Sequence, residues 1–275
     1  MNGGEVVNKF LDRDGAPLEG KTWNFLDETL IKIAKSQMAG RRVLDIEGPY
    51  GLGFKSVSLG DEEARDGMTT SKLLPLINIH RSFNMTKRDL AAFEANGIPP
   101  NLSGIANAAM ECARLEDDLI FNGMQGIPGL MNAPGSTEYK LNRWDEVGTG
   151  MDDIIRAVTL LDERGFHGPY ALALCPSLFN IMLRKYPPGF GTEMDHVKNI
   201  VTQGIVKAPV LKQGGMLMAC GWQFACLVIG QDMSLGFVGP DGQDIEFSVS
   251  ESIVPLIRVP RSICILKEQT AKAKA

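Results

Sequence analysis

From Phe54 to about Leu73 the chain is polar and weakly patterned, with Asp61, Glu62, Glu63 and Asp66 gathered near its middle. No apolar residues recur there at the spacing of a helix or a half-buried strand, so the stretch has no face to bury. It reads as a long extended loop or projecting hairpin. Excursions of that length are uncommon in compact domains and usually serve binding or assembly. The core must come from the rest of the chain.

Residues 1–18 read as an irregular arm, because Gly3, Gly4, Gly15 and Pro17 work against regular structure. Trp23, Leu26, Leu30, Ile33 and Ala34 then recur at helical spacing over Glu19 to Ala39, with Gly40 as a stop. That stripe needs something to lie against: its own chain, a neighbouring chain or a bound peptide. Val43 to Ile46 reads as a short strand, Leu76 to Phe83 as another, and Thr86 to Ala95 as a short helix ended by Asn96-Gly97. The longest element runs from about Leu102 to Gly123, and about 20 helical residues span roughly 30 Å, enough for the spine of a domain. Residues 124–150 read as loops. A helix over 150–164 follows, with Thr149 as its expected N-cap. Tyr170 to Cys175 reads as a buried strand, Pro176 opens a helix, and Met194 to Val201 is helical again. Strands are expected at 205–211, 216–220, 223–229, 244–250 and 253–266, and the tail from Lys267 reads as frayed. Segregated helices and mainly antiparallel strands indicate an α+β fold.

With 275 residues, 44% hydrophobic and 22% charged, the chain has the composition of an ordinary soluble globular protein. Its formal charge of −5 gives no electrostatic reason to expect nucleic acid. No run approaches the ~18 apolar residues that span a membrane, and Met1 to Phe10 carries no signal-peptide core. The five cysteines are scattered without a CxxC pair, which fits reduced thiols in a cytoplasmic protein.

Patterns that suggest catalysis do not assemble into a site. Gly48-Pro49-Tyr50-Gly51-Leu52-Gly53-Phe54-Lys55-Ser56 looks like a phosphate-binding loop, but that motif needs its lysine directly after the last glycine, and Phe54 intervenes. The expected role is a bend. His80, His167 and His196 share no ligand spacing, and no cysteine has a local activating signature. Carboxylates at Glu116, Asp117 and Asp118 point to different sides of a helix, so they read as a solvated or salt-bridged surface rather than a metal set. No enzyme activity, cofactor or metal site is expected.

Several segments together resemble the encapsulin shell protein family, also called linocin or bacteriocin-like, which shares the fold of tailed-phage major capsid proteins. They are Ala16-Pro17-Leu18, Gly40-Arg41-Arg42, Asp45-Ile46-Glu47-Gly48-Pro49-Tyr50-Gly51, the run from Glu116 to Gly123, Gly168-Pro169-Tyr170, and Gly230-Gln231-Asp232-Met233-Ser234-Leu235-Gly236. Their order and spacing cover about residues 10–266. The resemblance implies an HK97-type phage major capsid fold. Its parts would be an N-terminal arm, inner-wall helix and first strand in 1–48, an elongated loop in 49–75, and a peripheral domain with the spine helix in 76–123. An axial domain in 124–228, a return to the peripheral domain in 229–266 and a flexible tail in 267–275 would complete it.

The function implied is a cytoplasmic icosahedral shell of ~60 copies or a multiple, without nucleic acid or membrane. It would enclose a ferritin-like protein or a dye-decolorising peroxidase held by a C-terminal targeting peptide, in the service of iron storage or defence against oxidative stress. The family's docking surface maps onto Leu26, Leu30, Ile33, Arg41, Asp45, Asp232, Ser234 and Leu235. The alternative for the apolar members is plain core. A pore at a symmetry axis maps onto Lys185, Tyr186, Pro187, Pro188, Gly189, Phe190, Gly191, Thr192 and Glu193, and would admit small solutes. Two competing readings are a phage or prophage major capsid protein packaging DNA, and an enzyme or secreted bacteriocin.

Overall fold

The computed structural model describes residues 9–186 and 191–269. In chain order the elements are α1 (Gly20–Gln37), β1 (Asp45–Glu47), β2 (Ser56–Arg65), β3 (Met68–Pro75), β4 (Ile77–Thr86), α2 (Lys87–Asn96), α3 (Ser103–Asn122) and β5 (Thr137–Lys140). Then come α4 (Thr149–Asp162), β6 (Tyr170–Leu174), α5 (Pro176–Ile181), α6 (Glu193–Val197), β7 (Gly204–Lys207), β8 (Gly215–Ala219), β9 (Ala225–Asp241), β10 (Asp244–Ile257) and β11 (Ile263–Lys267). Among the described residues, no helix is long and apolar enough to cross a membrane. The chain divides into two compact units, the first made of Met1–Met38, Gly48–Glu116 and Ile229–Val254. The second comprises Ala39–Glu47, Asp117–Val228 and Pro255–Ala275.

In the first unit, β10 pairs antiparallel with β4 from Asp244 opposite Thr86 to Ile253 opposite Ile77, and β9 lies on the other side of β10. Alternation sends Ile79, Phe83 and Met85 of β4 and Ile245, Phe247 and Val249 of β10 into the core. The Phe247 ring stacks on Phe83 at 5.5 Å and takes the edge of Trp23 at 5.9 Å, which seats α1 over the sheet. Thr86 caps α2 by accepting the Asp89 N–H, and Gly97 closes that helix in the left-handed region at φ 68°.

β2 and β3 form the expected hairpin, and every side chain from Ser58 to Leu73 is exposed. The glycine-rich stretch before it is a bend. The Tyr50 and Gly51 N–H groups donate to the Ile229 and Gly230 carbonyls of β9. Because a strand rather than a helix follows Lys55, no phosphate-cradling terminus is present there.

The second unit is built on a mixed five-stranded sheet in the order β5-β11-β8-β6-β7. β6 and β8 are buried at every position, which explains their uninterrupted apolar sequences. β1 runs parallel to the start of β9, from Asp45 opposite Cys226 to Glu47 opposite Val228. The 124–150 region, expected to be loops, contributes β5 to the edge of the sheet. α4 begins at Thr149, with Gly148 as its cap at φ 102°. Thr149 does not cap, since its hydroxyl donates to the Glu146 carbonyl at 2.6 Å.

The acidic run of α3 departs from expectation. Glu116 and Asp117 are 0% and 2% exposed, not solvated. Asp117 accepts the Ala39 and Gly40 N–H groups at 2.8–3.0 Å and so caps the short 3-10 turn at Gly40–Arg42. Asp153 of α4 is a second buried carboxylate, satisfied by the Tyr139 hydroxyl, the Asn142 backbone and side-chain N–H groups, and the Trp144 indole N–H. Four donors on one carboxylate fix the loop after β5 against the helix.

Candidate cargo-docking and pore surfaces

The expected docking surface is built in the first unit on α1 and the Gln231–Leu235 stretch of β9. The apolar stripe of α1 faces inward: Trp23, Leu26, Leu30 and Ala34 are all buried. Leu26, Leu30 and Leu235, three of the expected docking residues, are 0–1% exposed and enclosed by their own chain. Their side chains belong to the core of the first unit, and reaching them would require opening it. The plain-core alternative describes these three.

Other residues of the expected surface are less buried. Ile33 is half-buried on one flank of α1, in line with Phe25 and Thr29 at four-residue spacing. Phe25 leans on Phe93 of α2 at 4.6 Å, which holds that flank together. Met233 is also partly exposed and packs on Ala34, Met38 and Ala113. The exposed Asp232 carboxylate accepts the Met233 N–H at 2.8 Å, and the Ser234 hydroxyl donates to the Asp232 carbonyl at 2.7 Å. Both polar groups therefore shape the strand locally while staying near solvent.

Arg41 and Asp45 belong to the second unit, Arg41 half-buried in the Gly40–Arg42 turn and Asp45 exposed at the start of β1. A residue the sequence reading missed, Arg13, ties the arm to both elements of the first-unit surface. Its guanidinium makes two 2.7 Å bonds to Asp27 of α1, donates at 2.8 Å to the Leu235 carbonyl, and lies 4.7 Å from the Trp23 ring centre.

The expected pore segment lies in the second unit, and Pro187, Pro188, Gly189 and Phe190 fall outside the described residues. Its two ends are joined like a hairpin: Lys185 bridges Thr192, and Tyr186 N–H donates to the Gly191 carbonyl at 3.0 Å. Gly191 takes φ 75°, a conformation that suits glycine. Thr192 and Asp195 form a reciprocal capping box that starts α6. The backbone N–H of Thr192, aided by its hydroxyl, holds the Asp195 carboxyl below the usual carboxylate range.

Glu193 is 0% exposed, so its side chain is an anchor rather than a lining group. It pairs with Arg184 at 3.0 Å and accepts the Gly148 N–H at 2.8 Å. Arg184 also donates to the Trp144, Asp145 and Glu146 carbonyls, which locks the base of the segment to the loop before α4. Lys185 and Gly191 are exposed, while Tyr186 and Thr192 are half-buried. Tyr186 stands edge-on to His196 at 5.0 Å.

All five cysteines are free and buried. Burial pushes the thiols of Cys112, Cys220 and Cys264 up to about 12 and that of Cys226 to about 11. Protonated thiols in an apolar interior are poor nucleophiles.

Comparison with known proteins points one way. A family model described as encapsulating protein for peroxidase (Linocin_M18) matches residues 8–254. The type 1 encapsulin shell protein EncA of Myxococcus xanthus is 31% identical, over 94% of this chain and 96% of that one. The virus-like particle of Pyrococcus furiosus superposes with a TM-score of 0.71 at 20% identity, over 90% of this chain and 99% of that one. The capsid of Myoviridae phage XM1 shares the fold at a TM-score of 0.55 and 12% identity, over 82% and 90% of the two chains. The fold is therefore the HK97-type capsid fold, and the chain belongs to the encapsulin shell protein family.

Proposed function

We propose that this chain is a non-catalytic subunit that closes with copies of itself into an icosahedral cytoplasmic shell around a cargo enzyme. The observation that carries this reading is the hairpin of β2 and β3, with every side chain from Ser58 to Leu73 exposed, Leu59, Met68 and Leu73 among them. A two-stranded hairpin alone is marginal in water, so it calls for a neighbouring chain to lie against. In a closed shell that neighbour is another copy, and icosahedral symmetry sets the number at ~60 or a multiple. A peroxidase is the first cargo candidate, as the family description suggests, and a ferritin-like protein the second. These cargoes would give the shell a part in iron storage or in the response to oxidative stress. The cargo would be held by a short C-terminal peptide on the flank of Ile33, Met233, Asp232 and Ser234. Small solutes would enter at the 185–193 segment.

Light scattering on purified protein tests the assembly. A closed particle in the megadalton range is expected, and a stable monomer or dimer at micromolar concentration would sink the reading. The ultraviolet spectrum of the same particles separates the reading from that of a DNA-packaging capsid, which would show nucleic-acid absorbance.

A further inference from the structure

The second unit carries a cleft of about 630 Å³ lined by Gly135, Ser136, Thr137, Arg164, Phe166, Val259 and Arg261. Its lining holds two guanidinium groups and no carboxylate, in a chain whose net charge is −5. Four other arginines, Arg13, Arg81, Arg184 and Arg258, each pair with an Asp or Glu at 2.7–3.0 Å. Arg164 has no such partner among the described residues. It donates from Nη1 to the Thr137 hydroxyl at 2.6 Å, which steadies the fork against the cleft wall and leaves its other N–H groups available. Arg261 makes no hydrogen bond or ion pair among the described residues. The Ser136 hydroxyl, in the same lining, is buried with no hydrogen-bond partner. Buried polar atoms without partners are rare and call for an explanation, an unseen ligand among them. Phe166 supplies an aromatic surface, braced edge-on by Phe224 at 5.5 Å.

We propose that this cleft binds a small phosphate monoester, its phosphate on Arg164, Arg261 and the Ser136 hydroxyl and its body against Phe166. Two fixed positive charges match the roughly two negative charges of a phosphate monoester near neutral pH, and arginine forks suit its oxygens. A cleft of this volume is larger than inorganic phosphate needs and fits the range of small-molecule sites. The site lies apart from α1 and the 185–193 segment in sequence, and it does not depend on the cargo or pore assignments.

Assembled shells titrated with phenyl phosphate, followed by calorimetry and phosphorus NMR, test the proposal. Saturable binding of about one molecule per chain is expected, tighter than that of inorganic phosphate, which lacks the ring. Benzoate, with the ring but a single charge, should bind at least tenfold more weakly. The double variant R164Q/R261Q should assemble normally and lose about tenfold or more in affinity for phenyl phosphate. Should it fail to assemble, R261Q alone decides, since the Arg261 side chain makes no hydrogen bond or ion pair among the described residues. Absence of saturable binding at millimolar ligand, equal binding of benzoate, or wild-type affinity in the arginine variants would each overturn it.

Discussion

Arg13 donates from Nε to the backbone carbonyl of Leu235 at 2.8 Å, across 222 residues of sequence. The same guanidinium holds Asp27 of α1 with two further bonds, so one side chain from the arm stitches the helix to β9. Both partners of the ion pair are less than a third exposed. R13A should therefore destabilise the first unit by about 1.5–3 kcal/mol, the scale of a charged hydrogen bond. The check is a chemical or thermal melt. A loss under ~0.5 kcal/mol, typical of ordinary surface substitutions, would mean the stitch is ornamental.

Gly48 and Gly51 offer a matched pair. Both sit at positive φ, 109° and 98°. A Cβ on Gly48 would overlap the Ile229 carbonyl oxygen, a backbone atom that cannot swing away, whereas nothing lies near a Cβ on Gly51. G51A should cost about 1–2 kcal/mol from backbone strain alone. G48A should cost clearly more and lower the yield of folded protein. Equal melting temperatures for the two variants would contradict the close approach.

Asp153 of the second unit accepts four hydrogen bonds. Replacing it with Asn puts an amide N–H₂ where donors already converge, leaving at least one of them unsatisfied. D153N should lose roughly 1.5–3 kcal/mol or more, with the Trp144 environment disturbed. Tryptophan fluorescence during denaturant unfolding reads both.

These networks mark the limit of what the sequence discloses. α1, α3 and the turn chemistry of Thr86 and Gly97 are legible because periodicity and caps are local signals. β9 is legible only at its start, within the strand expected at 223–229, because Gly230 and Gly236 look like interruptions. In the fold they continue the strand, and a Cβ on Gly230 would press on Ser252 Oγ of β10. β10 runs unbroken from Asp244 to Ile257 through Pro255, where two separate strands were expected. The burial of Asp117 depends on N–H groups up to 78 residues away, and no local pattern announces such a partner. For the docking surface the same helical stripe predicts burial, but not whether its own chain or a second one provides the cover. Leu26 and Leu30 turn out to be covered from within.

The start of α6 should respond to acid. Hydrogen bonds from Thr192 lower the Asp195 pKa in the folded chain relative to the unfolded one. The contribution is thus fully present above the ordinary carboxylate pKa and is lost as pH falls through the depressed folded value. Amide protection factors at Thr192 and Asp195, which correct for intrinsic exchange, should hold down to the ordinary carboxylate range and fall only below it. D195N should remove that pH dependence of protection. Protection that already falls near neutral pH would contradict the capping box.

If 185–193 surrounds an opening, deleting Pro188 to Gly191 should leave assembly intact and speed the entry of small solutes into the shell. E193Q should behave differently, because Glu193 is buried against Arg184 and its change weakens the anchor, with a loss of stability rather than a gain in access. Stopped-flow quenching of an enclosed fluorophore measures the entry rate. A deletion that abolishes folding would make the segment structural and end the pore assignment.

Cargo docking is tested by comparing two positions that the sequence alone treats alike. Leu235 is 0% exposed, so L235D places a carboxylate in a closed apolar site, a penalty of several kcal/mol unless the group is protonated, and folded shells should be scarce. Ile33 is half-buried on the flank of α1 and can carry a charge in contact with water. I33D should assemble into particles of normal mass. Yet a docked peptide relies on a few apolar anchors, and a carboxylate beneath one of them removes much of a weak single-site affinity. Many tethered copies rebinding inside one shell amplify affinity, so the same loss repeated at every site should show as a sharp fall in co-purified cargo. Gel densitometry of purified shells gives the cargo ratio. Full cargo in I33D shells would move the docking site away from this flank, and intact, fully loaded L235D shells would mean that Leu235 is not the core residue its burial indicates.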